Sequence, residues 1–408
     1  MKARSLSLLA GLAAASAPAL MLAACASDET SQGVVDDAAV NTVPTAETPD
    51  SDTLPDAGGH ETSTVPEVPC TAETMCPTSL NPAEGPLDTR IRINTIQGRS
   101  ANDVWAGSAR GQLLHYDGTS WRRSDTGTTA SINGLWLRTE GQAALASLVT
   151  LLTNEISLSV TDAGTPSSAG WAAYPPLAIP AGVTNPVTRI TSTWSTPDAE
   201  WLWVGTLQAS AAAAGNLNVN GLFRIHVSAT TSKLELKSPF ASGLCNRLSC
   251  RTITGLHGIS ADDLWAVGYT GATFRIKNAQ AATPTIKAYN SQTWATLNAV
   301  WAASDTEAWA VGANGVIRHY TGEDGVFEVV DGVPTTEDLR AVWGTSPSDV
   351  WAVGNAATVL HYDGKTWSRV TVTGIGARVP DLYTVWTAQA GKVWIGGDGV
   401  LLSLGGES

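Results

Sequence analysis

Basic charge is scarce in this 408-residue chain: 24 Lys and Arg stand against 37 Asp and Glu, for a net charge of −13. A chain of that sign lacks the basic patch that follows a nucleic-acid backbone or an anionic lipid surface. Cysteine is rare, five in all. The motifs of common enzymes are missing as well, with no nucleophile elbow and no zinc-binding helix signature. Gly364-Lys365-Thr366 ends like a phosphate loop, but Val359 stands where that loop requires glycine and no helix follows.

What is present begins at the N-terminus. Lys2 and Arg4 precede an uncharged Ala- and Leu-rich stretch from Leu6 to Ala24, the pattern of a signal peptide over residues 1–24. A transmembrane anchor is the competing reading, but a span needs about 20 apolar residues and this stretch barely reaches that length. Its end, Leu22-Ala23-Ala24-Cys25, resembles the bacterial lipobox. The resemblance implies cleavage before Cys25, with acyl chains such as palmitate on its sulfur and new amino terminus, so that the membrane is a partner through this lipid. Ala26, where an aspartate would resemble an inner-membrane retention signal, leans toward the outer membrane.

Residues 25–69 read as a disordered tether. From Ala26 to Pro69 there are ten acidic residues and no Lys or Arg, too little apolar surface to offset the entropy of ordering. The reach of such a segment is roughly 35–40 Å. The remaining residues, 70–408, carry a net charge of −5. Four cysteines are left after Cys25, in two close pairs, Cys70 with Cys76 and Cys245 with Cys250. In an oxidising compartment they are expected as two local disulfides out of three connectivities. A zinc site competes poorly, because neither pair has two-residue spacing or nearby histidines.

Internal repetition decides the fold. Ser346-Pro347-Ser348-Asp349-Val350-Trp351-Ala352-Val353-Gly354 recurs as Ser260-Ala261-Asp262-Asp263-Leu264-Trp265-Ala266-Val267-Gly268, with further copies at Ser100–Gly107 and Ser304–Gly312. A second tryptophan stands eight residues upstream in Trp301/Trp309, Trp343/Trp351 and Trp386/Trp394. Used as a ruler, that pair also finds Trp194/Trp203, His257/Trp265 and Trp136/Ala144. The anchors Trp105, Ala144, Trp203, Trp265, Trp309, Trp351 and Trp394 are 39, 59, 62, 44, 42 and 43 residues apart. These are seven units, two with insertions.

Each unit holds four short strands rich in Val, Trp, Leu and Tyr and bounded by Gly, Asn, Asp and Ser. The Ser-x-x-Asp cluster suits a tight turn in which both side chains bond backbone amides. The Asp-Val-Trp-Ala-Val-Gly strand is apolar on both faces, which implies a sheet covered on both sides. The expected fold is all-β, a seven-bladed β-propeller of four-stranded antiparallel blades. Its last unit lacks a fourth strand, and residues near 75–90 are expected to supply it.

These repeats resemble the tryptophan-rich, DVWAVG-type repeats of β-propeller lipoproteins of bacteria, and more loosely the Asp-box propellers, over residues 92–408. They depart from the Asp box because Asp363 and Gly364 are adjacent. The resemblance implies the fold and says little of function.

Most of the sixteen tryptophans fall at repeat positions and are expected in the core. His115, His319 and His361 each follow their anchor by ten residues, so they spread around the ring. His257 replaces an upstream tryptophan, His60 is in the tether and His226 follows an insertion. Phe223-Arg224-Ile225 and Phe274-Arg275-Ile276 resemble the arginine motif of sialidases, yet both sit on third strands. No catalytic residue, metal or cofactor is assigned.

Loops carry binding in such folds. One end of the ring is built from second-to-third strand loops and inter-blade connections, and the insertions Leu207–Asn220 and Lys237–Arg251 belong to that end. Arg110, Tyr269, Asn314, Asn355 and Asp398 occupy its short loops and form the candidate binding face. The expectation is a non-enzymatic, lipid-anchored envelope or surface protein that binds a protein or glycan. The alternatives are a glycan hydrolase or lyase with paired carboxylates in the central channel, and an outer-membrane assembly scaffold.

Overall fold

The computed structural model describes residues 69–406 apart from 140, 156–164, 181–188, 208–220, 229, 240–247, 249 and 324. The stretch read as a signal peptide, Cys25, nearly all of the stretch read as a tether, Cys245 and most of both insertions therefore lie outside the described residues. Seven antiparallel sheets of four strands account for almost all of the regular structure. Their first strands are Ile93–Ser100, Gly134–Leu137, Arg189–Trp194, Ile253–Ser260, Leu297–Ser304, Leu339–Ser346 and Leu382–Gln389. Each packs against the first strand of the next sheet, and the seventh packs against the first. The sheets are thus blades 1–7 of a closed propeller.

Closure comes from the N-terminal side. Met75–Pro77 pairs antiparallel with Val400–Leu404, Met75 opposite Leu404 and Pro77 opposite Leu402, which completes blade 7. Met75 is buried and also exchanges backbone hydrogen bonds with Thr371 and Thr373, in the connection leading into blade 7. Cys76 is disulfide-bonded to Cys70. Cys250 is buried.

The second strands, such as Asp103–Ser108 and Asp349–Gly354, are buried along their whole length after the first residue. Their indoles reach into the next blade. Trp309 of blade 5 meets Tyr362 and Trp367 of blade 6 at centroid distances of 4.8 and 5.4 Å. Trp394 of blade 7 meets Tyr116 and Trp121 of blade 1 at 5.2 and 6.3 Å, so the same contact that joins neighbours also closes the ring. A buried indole removes about 150–250 Å² from water, and the repeat supplies one such contact at nearly every blade boundary.

Two details differ from the sequence reading. In blade 2 the register pairs Trp136 with Ala143 and Leu135 with Ala144. The residue equivalent to the anchor tryptophan is therefore Ala143, because the turn joining the first two strands is one residue shorter there. In the Ser-x-x-Asp turns only the serine bonds the turn backbone, as Ser100 Oγ does with Asn102 N–H and Ser260 Oγ with Asp262 N–H. The aspartate points into the blade instead. Asp103 accepts hydrogen bonds from the Trp105 indole (3.0 Å) and His115 Nε2 (2.9 Å), and Asp349 does the same with Trp351 and His361.

Candidate functional site at the channel mouth

A first strand in a propeller lines the central channel, so residues at one position of all seven first strands form a ring. At or beside the start of each first strand stands a buried Ile or Leu, and the residue after it lines the cavity: Asn94, Asn133, Thr191, Thr254, Asn298, Arg340 and Tyr383. Four of these donate across a blade boundary. Asn94 Nδ2 reaches Ile132 O at 2.9 Å and Asn298 Nδ2 reaches Leu339 O at 2.7 Å. The Thr191 and Thr254 hydroxyls bond Ile253 O and Leu297 O. The belt ties blades 1, 3, 4 and 5 each to its successor through a backbone carbonyl, while Asn133 of blade 2 donates to Ser131 O and Ala146 O on its own side of the boundary.

Blades 6 and 7 break the belt. Arg340 turns to the second-to-third strand loop of its own blade, donating from Nε to Asn355 Oδ1 at 2.8 Å. Tyr383 OH donates to Asp398 Oδ2 at 3.2 Å, in the corresponding loop of blade 7. Arg92, just before the first strand of blade 1, donates from Nε to Asp398 Oδ1 at 2.9 Å. Its guanidinium lies 4.1 Å over the Tyr383 ring, and that of Arg340 lies 5.7 Å from the same ring. Burial lifts the Tyr383 phenol above its usual pKa, with Arg92 opposing, so the phenol keeps its proton and can donate it to Asp398. The result is a cluster of two cations, one phenol and the Asp398 carboxylate at the mouth, with the Asp381 carboxylate near enough to raise the pKa of both Arg92 and Tyr383.

Three residues farther along the strand, a second ring fills the other end of the channel: Gln97, Trp136, Trp194, His257, Trp301, Trp343 and Trp386. His257 lies among three indoles, 4.6 Å from Trp343, 5.9 Å from Trp194 and 6.2 Å from Trp301. Its Nδ1 accepts from Ala302 N–H at 3.1 Å, and burial drives its pKa down to about 3. Gly98, Gly258 and Gly344 leave room for Trp386, Trp194 and Trp301: a Cβ at Gly98 would stand 2.5 Å from the Trp386 ring. The channel is thus a narrow pit of about 110 Å³ with a polar mouth, bounded toward the ring of indoles by Gln97 and Trp343.

Of the five sequence-derived face residues, Asn355 and Asp398 belong to the mouth cluster. Arg110, Tyr269 and Asn314 sit on the equivalent loops of blades 1, 4 and 5, exposed. Arg110 and Asn314 occupy the left-handed region (φ 60° and 57°), and in blade 4 the residue so placed is Thr270, next to Tyr269. Sequence reasoning missed Arg92, Arg340 and Tyr383. It also missed Trp294, which is 89 % exposed in the connection from blade 4 to blade 5, while Tyr269 in the neighbouring loop is 45 % exposed. Fourteen of the other tryptophans are buried and Trp343 is partly so.

The remaining titratable groups serve the blades. His115, His319 and His361 stack on Trp105, Trp309 and Trp351 at 4.1, 3.7 and 4.2 Å. Arg224 and Arg275 are buried. Arg224 donates to the carbonyls of Ala279, Ala281 and Ala282, and Arg275 makes a two-point contact with Asp263. Among the described residues that line the channel there is no Asp or Glu, and an acid–base pair in it would have to come from the rim. No three His, Cys, Asp or Glu side chains of the described residues converge as metal ligands would, and no helix among them is long and apolar enough to cross a membrane.

No protein-family model matches the sequence, and no curated protein matches it. Solved structures match the fold. YCF48 bound to D1 peptide has 14 % identity and a TM-score of 0.54, over 78 % of this chain and 93 % of that one. YCF48 from Cyanidioschyzon merolae gives 15 % and 0.54, over 78 % and 96 %. The extracellular domain of the putative hybrid two component system BT3049 from B. thetaiotaomicron gives 12 % and 0.55, over 81 % of this chain and 41 % of that one. At these identities the likeness is one of fold.

Proposed function

We propose that the chain is a non-enzymatic binding module of the cell envelope, held by a lipid on Cys25 and standing off the membrane on residues 25–69, whose channel mouth receives part of a protein or glycan partner. The observation that carries this reading is the mouth cluster. Four blades spend the ring position on hydrogen bonds to the next blade and blade 2 on hydrogen bonds within itself, whereas blades 6 and 7, with Arg92, place charged and aromatic groups around an open pit. Structural economy alone does not call for that exchange, since the Asn and Thr of blades 1, 3, 4 and 5 already join neighbours from this position. Exposed Trp294 and Tyr269 lie on loops of the same end and enlarge the surface a partner can meet, as aromatic residues do at recognition sites. Binding at loops borne on a rigid scaffold is a common use of such an architecture, and one fold neighbour is described with a bound peptide.

Affinity capture from native envelopes tests the reading. The full mature chain should retain a partner that the Arg340→Ala and Trp294→Ala variants retain at least tenfold less. Equal retention by parent and both variants would refute the mouth as the binding surface.

A further inference from the structure

We infer that the pit is built for an anionic, hydroxylated ligand, and that its occupant is a sugar acid whose carboxylate meets Arg340 and Arg92. This inference rests on the mouth being the binding surface and names what it binds. Both guanidiniums are fixed through Nε, Arg340 on Asn355 and Arg92 on Asp398. Among the described residues the terminal nitrogens of neither have a hydrogen-bond partner. Arg340 has no carboxylate partner among the described residues, whereas Arg92 shares Asp398 with Tyr383. Arg340 is therefore a guanidinium on the wall of the pit that no direct ion pair among the described residues answers. Its free end is the fork that pairs with a planar carboxylate through two N–H groups.

The wall below supplies the opposite complement. Asn94 and Asn298 give their amide N–H groups to backbone carbonyls, which leaves their amide oxygens as acceptors without a partner among the described residues. The Thr191 and Thr254 hydroxyls likewise donate their protons to the wall and keep lone pairs. A bare carboxylate brings only acceptors and leaves these groups unmatched; a neutral sugar brings hydroxyl donors but nothing for the guanidiniums. A sugar acid brings both in one molecule. The aromatic floor of Trp343 and its neighbours limits depth, so the terminal unit of a glycan fits better than an internal one.

The test is calorimetric titration of the mature full-length chain with glucuronate, glucose, acetate and an N-acetylated dipeptide acid at fixed ionic strength. Glucuronate should bind, and glucose and acetate at least tenfold more weakly. Arg340→Ala should lower glucuronate affinity at least tenfold, and Arg340→Lys should not restore it, because an ammonium cannot form the fork. On the parent chain, glucuronate should protect Arg340 from phenylglyoxal, which keeps the test open if a variant melts early. Binding of glucose or acetate as tight as glucuronate, undiminished affinity in Arg340→Ala, or binding of the dipeptide acid alone would overturn the assignment. If glucuronate does not bind while envelope capture still depends on Arg340, the sugar acid falls and the binding mouth stands. If capture is independent of Arg340 and Trp294, both fall.

Discussion

His361 lies flat on Trp351, ring centroids 4.2 Å apart, and its Nε2 is 2.8 Å from Asp349 Oδ1, the same oxygen that accepts the Trp351 indole N–H at 3.0 Å. An ionised carboxylate only accepts, so the imidazole donates through Nε2. One aspartate therefore satisfies two donors from two strands, the buried Trp351 indole and the half-buried His361 imidazole. Asp349→Ala leaves both unpaired and should cost about 1–3 kcal/mol in chemical denaturation, and Trp351→Ala about 3–5 kcal/mol. Parent-like stability in either variant would contradict this packing.

Blade 5 offers the converse experiment. Glu307 replaces the aspartate, reaches His319 Nε2 at 3.2 Å, and leaves Trp309 Nε1 buried without a partner. Glu307→Asp should restore the arrangement of blades 1 and 6 and stabilise the protein by roughly 1 kcal/mol. A loss of stability would show that the longer side chain is held for another reason.

Acid should destabilise the propeller in two steps. Burial holds His257 at about 3, against 6.5 for an unperturbed histidine, so the unfolded chain takes up a proton below pH 6.5 that the folded chain refuses until about pH 3. Folding stability falls across that window by up to ~1.4 kcal/mol per pH unit. His257→Gln, which can still accept from Ala302 N–H, should flatten the melting profile between pH 6.5 and 4. Burial would raise the pKa of Asp103, but His115, Arg99 and Trp105 hold it at about 2; its contribution, ~2 kcal/mol by the same relation, is present above pH 4 and lost between pH 4 and 2. A profile identical in parent and His257→Gln would contradict the assignment of the first step.

Ring closure through Met75–Pro77 is tested by removing residues 70–78. The deletion exposes the edge of Val400–Leu404 and removes buried Met75, a loss of about 2–5 kcal/mol for that side chain alone, enough to lower Tm by about 5 °C or more. Unchanged melting would mean that the seventh blade does not depend on this strand.

The fold was legible because six of the seven blades repeat an anchor indole, in several of them with an Asp two residues before it or a His ten residues after it, and identical side chains at one spacing demand identical environments. The missing fourth strand of blade 7 was legible for the same reason. The binding face was legible only as a set of loops. Arg340, Tyr383 and Arg92 carry no motif, since residues about 40 or nearly 300 positions apart meet only after the ring closes. A signal did exist: in the column after each opening Ile or Leu, Asn94, Asn133, Thr191, Thr254 and Asn298 are small and polar, while Arg340 and Tyr383 are neither. The carboxylate partners of the histidines lie twelve residues away across a hairpin, so the turn reading absorbed them. Trp294 was hidden by its own kind, because most tryptophans here are core.

The most direct measurement is hydroxyl-radical footprinting of the mature chain with and without solubilised envelope material. Partner binding at the mouth should protect Tyr383, Tyr269 and Trp294 while leaving Ile259, exposed beside the turn between the first two strands of blade 4, as reactive as before. Protection of Ile259 with Tyr383, Tyr269 and Trp294 unchanged would place the partner at the opposite end and contradict the account.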